Sequence, residues 1–116
     1  MNRALIVARM KRGAEADVRR IFAESDNTSL PHDLGVGHRS LYSFGDVYIH
    51  LVEMTDQPGV SLSSARDLPA FRQIGEDLKP FISAYYPATW RTPLDAVATE
   101  FYHWNAADAL ALRPAR

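Results

Sequence analysis

The chain has no cysteine among its 116 residues, which excludes disulfides, thiolate nucleophiles and cysteine-held metals together. It has no excess of charge either. Thirteen basic and 14 acidic side chains leave a net charge of -1, and the signs are mixed along the sequence with no basic stripe. Nucleic acid, which is bound by neutralising phosphates, is not an expected partner. Long hydrophobic runs are missing too: MNRALIVARMKR holds only a few apolar residues before Arg9, too few for a signal h-region or a membrane span. The expectation is a soluble, cytoplasmic protein with no membrane partner. The six glycines form no phosphate loop and no G-x-S-x-G elbow, so dinucleotide and Walker-type mechanisms lack their parts. His32, His38 and His103 show no paired helical or C/H spacing, so neither a metal nor a cofactor is expected. What is present is 47% hydrophobic content, enough for one core and a single domain over 1–116.

RALIVARM is β-branched in the middle and runs into Lys11-Arg12-Gly13, the pattern of a buried strand leaving into a turn. In AEADVRRIFAES, Ala14, Val18, Ile21, Phe22 and Ser25 share one helical face, and the helix should stop by Leu30 because Pro31 follows. Within HRSLYSFGDVYIHLVE, Gly45-Asp46 fits a two-residue hairpin loop that pairs Phe44 with Val47, Leu41 with His50 and Arg39 with Val52. Pro69 opens a second helix, with Phe71, Ile74, Leu78, Phe81, Ile82 and Tyr85 as its apolar stripe and Pro80 kinking or dividing it. ATEFYHW, residues 98–104, alternates as a last strand, and residues 105–116 form a tail. The order β-α-β-β-α-β predicts an α+β, ferredoxin-like fold: an antiparallel sheet with two helices on one face, of the dimeric α+β barrel type. The other sheet face needs cover, and a homodimer supplies it.

The hairpin register decides where chemistry is carried. One face bears Arg39, Leu41, Ser43, Tyr48, His50 and Val52, so Arg39 and His50 become diagonal neighbours ~7–8 Å apart at Cα, within reach of a common ligand. If that face lines a cavity the pair is functional; if it faces solvent the pair is ordinary. Asp26, at the exit of the first helix, borders the same space or serves as a turn acid. Tyr48 is a packing aromatic that shares the face of His50. Tyr85, Tyr86, Trp90, Phe101, Tyr102 and Trp104 line an aromatic pocket or pack in a core or dimer interface.

The ordered motifs D-x-T-x-L-P, G-V-x-x-R, D-x-Y-x-H-L and A-R-x-x-P-x-F, spread over residues 3–104, resemble the small aromatic polyketide cyclases of the tetracenomycin F2 cyclase type. The resemblance implies a dimeric ferredoxin-like fold, a pocket between sheet and helices, no cofactor, and an intramolecular aldol condensation with dehydration that closes a late ring. By position the family's arginine falls on Arg39, its strand histidine on His50 and its helix-exit aspartate on Asp26. Phe22, Ser25, Tyr48, Arg66 and Trp90 are the candidate substrate-binding residues. Ser25 stands where the family has a histidine, so a two-histidine mechanism lacks one partner here. The expected partner is an aromatic polyketide intermediate, with an acyl carrier protein of a type II synthase as a further candidate. In such a closure Arg39 suits the developing enolate oxygen, His50 suits proton transfer, and Asp26 either orients His50 or is itself the base. A cofactor-independent anthrone monooxygenase on a related fold, and a non-catalytic polyketide-binding dimer, are the alternatives.

Overall fold

In a computed structural model of the chain, which describes residues 2–55, 67–91 and 93–107, strand β1 is Asn2–Met10 and helix α1 is Glu15–Asp26. The spacing seen in the sequence is the one that packs: Val18, Ile21 and Phe22 are buried, while Glu15 and Asp17 occupy the first turn, where the helix dipole favours acids. A short helix not anticipated from sequence, α2 at Leu30–Leu34, follows at once. Pro31 lies in its first turn, where a missing N–H costs no hydrogen bond, so the proline that keeps α1 from continuing also starts α2.

Strands β2, Val36–Phe44, and β3, Val47–Met54, form the expected hairpin with Phe44↔Val47, Leu41↔His50 and Arg39↔Val52 as partners. Gly45 has φ 61, and no non-glycine among the described residues has a positive φ. A positive φ at the first turn residue alone is the type II′ pattern, whose twist matches that of the flanking strands. The Arg9 guanidinium clasps the Asp46 carboxylate at 2.8 Å, and the Met10 N–H donates to the Asp46 carbonyl at 2.8 Å, so β1 ties down the loop.

Helix α3 is Pro69–Leu78 and strand β4 is Ile82–Ser83, which completes an antiparallel sheet of order β2-β3-β1-β4. The ferredoxin-like β-α-β-β-α-β succession therefore holds, with two corrections to its second half. Pro80 does not kink a longer helix but follows its end: α3 stops at Leu78, Ile82 enters the sheet, and Phe81 and Tyr85 lie off the helix. Residues 98–104 form no strand. The free edge of β1 is already taken by β4 and by a single bridge between Ile6 and Val97, after which Phe101, Tyr102 and Trp104 emerge exposed. Their alternation has no neighbouring strand to act on.

The two sheet faces differ. Toward the helices, Ala8, Met10 and Tyr48 close a core with Ala14, Val18 and Phe22, and half-buried Ile74, Leu78, Ile82 and Trp90 pack against it. A smaller cluster joins Leu30 and Leu34 to Val36, Leu68 and Phe71. The opposite face carries Val7, Val47, Ile49 and Leu51 half-buried, with Leu5, Tyr42 and Phe44 exposed. No helix among the described residues is long and apolar enough to cross a membrane.

A Cβ on Gly45 would meet no atom within 4 Å, so replacement costs only backbone strain. Gly45→Ala should lower unfolding stability by ~1–2 kcal/mol in urea titration, the cost of a left-handed L-residue, and Gly45→Asn by less. An unchanged midpoint for the alanine variant would show that the hairpin does not depend on this turn.

Candidate functional site

Because β3 alternates, every second side chain from Tyr48 to Val52 enters the space under the helices, and that space is not filled. A cavity of about 630 Å³ remains. Ile6, Ala8, Arg39, Tyr48 and His50 form its sheet wall; Phe22 and Ser25 of α1, Leu30 and Leu34 of α2, and Phe71, Ile74 and Leu78 of α3 form the other walls, with Trp90 and Arg91 beyond β4. The volume falls within the ~300–1,000 Å³ of small-molecule sites, and its apolar lining with a few convergent polar groups is their usual chemistry.

Arg39 joins the polar groups. Its Nε and Nη2 donate to the two oxygens of the Asp26 carboxylate at 3.2 and 3.0 Å, and its Nη1 lies 2.9 Å from His50 Nε2. The guanidinium also stacks 5.0 Å from the Phe22 ring centroid. An arginine has donors only, so His50 Nε2 must be the acceptor and the imidazole proton sits on Nδ1. The Arg39 side chain is 14% exposed and that of Asp26 is 39% exposed: the cation lies inside, and its counter-charge closes the rim.

His50 is buried, edge-on to Phe22 at 5.1 Å and to Tyr48 at 6.2 Å between ring centroids. Burial first, and the adjacent Arg39 charge second, lower its pKa to about 4. It is therefore neutral at physiological pH. Burial pushes the Tyr48 phenol well above its ordinary value, with Arg39 opposing the shift, so Tyr48 keeps its proton. An imidazole that accepts, a phenol that donates and a fixed cation thus share one wall.

Of the residues singled out from sequence, Arg39, His50, Tyr48, Phe22, Ser25 and Trp90 line the cavity, and Asp26 touches it through Arg39. The Arg39 guanidinium stands between Asp26 and His50, so any orienting of His50 by Asp26 passes through Arg39. Arg66 lies outside the described residues. His32, His38 and His103 are exposed, and among the described residues no three His, Asp or Glu side chains gather as a metal site. Sequence reasoning missed the contributions of Leu30, Leu34, Phe71, Ile74 and Leu78 as walls. Their apolar spacing was visible, but a stripe facing a core and a stripe facing a cavity read alike.

A family model described as polyketide synthesis cyclase matches residues 2–105. The chain is 50% identical over 110 residues to an uncharacterized protein of Streptomyces coelicolor, covering 94% of this chain and 99% of that protein. It is 44% identical over 105 residues to polyketide synthase CurG of Streptomyces cyaneus, covering 90% of this chain and 98% of that one. It is 37% identical over 107 residues to tetracenomycin F2 cyclase of Streptomyces glaucescens, covering 92% of this chain and 97% of that enzyme. The crystal structure of that cyclase, described as a type-II polyketide cyclase, superposes with a TM-score of 0.81 over 91% of this chain and 99% of its own.

The buried imidazole has a pH signature. With a pKa of about 4 when folded against ~6.5 when unfolded, the unfolded chain binds more protons between those values, so stability should rise with pH from about 4 to 6.5 and be flat above. The swing attributable to His50 is at most ~3–4 kcal/mol, one pKa unit being about 1.4 kcal/mol. His50→Gln should flatten this slope, and NMR of the wild-type ring should show a midpoint near 4. A midpoint near 6.5 would contradict the site geometry.

Proposed function

Because the chain belongs to the polyketide synthesis cyclase family, we propose that it closes a ring of an aromatic polyketide intermediate by cofactor-free intramolecular aldol condensation and dehydration. The observation that carries this reading is the Asp26–Arg39–His50 chain on the wall of an apolar cavity. An aldol closure needs a base for the proton α to a carbonyl, a fixed positive site for the enolate oxygen, and a volume that admits one folded conformer.

Arg39 takes the enolate oxygen. Of five guanidinium N–H donors, three are engaged with Asp26 and His50, which leaves two for substrate oxygens in the same plane. His50 Nε2 is the base. In this geometry its lone pair is held by Arg39 and the imidazole is a weak base. As a substrate oxygen acquires charge it competes for the guanidinium, frees the lone pair, and offsets the positive field that depresses the imidazole. Basicity at His50 therefore grows as the enolate forms. Asp26 sets the plane of the guanidinium and offsets its charge at the cavity rim. Phe22, Ser25, Tyr48 and Trp90 contact the polycycle, and Ser25 in place of a second histidine leaves one imidazole to move protons.

The uncovered sheet face with Leu5, Tyr42 and Phe44 is the surface of a homodimer. The substrate reaches the cavity free or on an acyl carrier protein, in the cytoplasm.

Arg39→Ala should slow ring closure by ~10²–10³, the usual effect of losing one preorganised donor. Arg39→Lys should recover little, because an ammonium cannot span Asp26 and His50 together. His50→Ala should shift products to uncyclised or wrongly closed compounds. Mass spectrometry of the products decides, with loss of one water marking cyclisation and gain of oxygen marking an anthrone-type oxidation. Wild-type turnover by both alanine variants, with unchanged thermal unfolding, would move the active site elsewhere.

Sedimentation at micromolar concentration should give twice the 13.0 kDa of one chain, and Phe44→Glu should return it to one. A monomeric wild type would leave the apolar face without this cover.

A further inference from the structure

Tyr48 is a nearly fully buried phenol, 4% exposed, that lines the cavity. Among the described residues no hydrogen bond is made by its hydroxyl, and no sealed side-chain oxygen there lacks a partner, so the hydroxyl opens to the cavity. Packing alone does not account for the hydroxyl, since phenylalanine would pack in the same place; what the oxygen adds is a donor aimed at the cavity.

Its position suggests what it donates to. Tyr48 precedes His50 by two residues on β3 and shares its face, so the two are ~6.6–6.8 Å apart along the strand. Arg39, paired with Val52, reaches His50 from the opposite direction. The imidazole is thus flanked by two donors, one charged and one neutral. An intramolecular aldol closure also has two oxygens, that of the enolised carbonyl and that of the carbonyl under attack.

We propose that Tyr48 is a catalytic hydrogen-bond donor to the carbonyl that is attacked, so that the Arg39–His50–Tyr48 line fixes which substrate carbonyl is nucleophile and which is electrophile. This rests on the cyclase reading above. His50 takes the α proton, the enolate carbon forms the new C–C bond, and the π pair of the attacked carbonyl moves to its oxygen, where the Tyr48 O–H receives it. The proton held by His50 then passes to that oxygen. Ring closure is balanced in protons and Tyr48 stays a phenol throughout, as its raised pKa favours. Water leaves in the later elimination, the hydroxyl departing with a proton from the adjacent carbon.

Tyr48→Phe removes only the hydroxyl. Its thermal unfolding should match wild type, kcat should fall ~10²-fold with KM nearly unchanged, and misclosed products should increase. Binding of emodin, a stable hydroxyanthraquinone, should weaken about tenfold in the same variant, consistent with one lost hydrogen bond. Wild-type rate, product ratio and emodin affinity in Tyr48→Phe would overturn the proposal. So would a rate loss accompanied by a large drop in melting temperature, which would assign Tyr48 to packing. If wild type closes no ring, the cyclase reading fails by itself; a tenfold loss of emodin affinity would then still identify Tyr48 as the donor to a ligand oxygen, and unchanged affinity would remove that role as well.

Discussion

The arrangement depends on keeping one guanidinium out of water. A buried charge is costly unless it is paired and hydrogen-bonded, and Arg39 is held by two elements: α1 supplies the Asp26 carboxylate at its end and the Phe22 ring one turn earlier, and β3 supplies the His50 imidazole. That requirement fixes the relative placement of α1, β2 and β3. A hairpin register changed by one residue would turn Arg39 or His50 to the outer face and leave Asp26 facing apolar side chains. A shorter α1 would leave the cation without its anion. The functional group and the fold therefore constrain each other, and the asymmetric exposure of the pair places the positive end toward the cavity.

How much of this was legible in the sequence follows from the range of the interactions involved. The hairpin was readable because a Gly-Asp loop and period-two alternation are local, and together they placed Arg39, Tyr48 and His50 on one face before any coordinates. The stripe of α1 was readable for the same reason. The last strand was misread because ATEFYHW has the right alternation but no partner: sheet membership depends on which edge is free, and the edge of β1 was occupied by Ile82–Ser83 and Val97. Pro31 was read only as a stop, although the position that interrupts one helix is also a good first turn for the next. The partner of Asp26 was not legible, because a contact spanning 13 residues is decided by tertiary packing.

Electrostatics and shape divide between the two layers. Arg39, His50 and Tyr48 stand on the sheet, where neighbouring strands fix each side chain through paired backbone, while α1 supplies the Asp26 counter-charge and the helices otherwise contribute much of the apolar wall. Helix α3 has no fully buried residue, and Phe71, Ile74 and Leu78 present apolar area to the cavity as well as to the core clusters they pack against. Burial of apolar area is worth ~25 cal/mol per Å², so a planar, hydrophobic ligand completes packing that the polypeptide leaves open. In the proposed closure such a ligand would lie with its faces against the helices and its oxygen-bearing edge toward Arg39, His50 and Tyr48. That geometry favours one folded conformer of a flexible polyketone over its competitors without a covalent attachment. In that proposal a chain of 116 residues directs the closure without a cysteine nucleophile: the substrate supplies the reactivity, and the protein supplies conformation and the placement of charge.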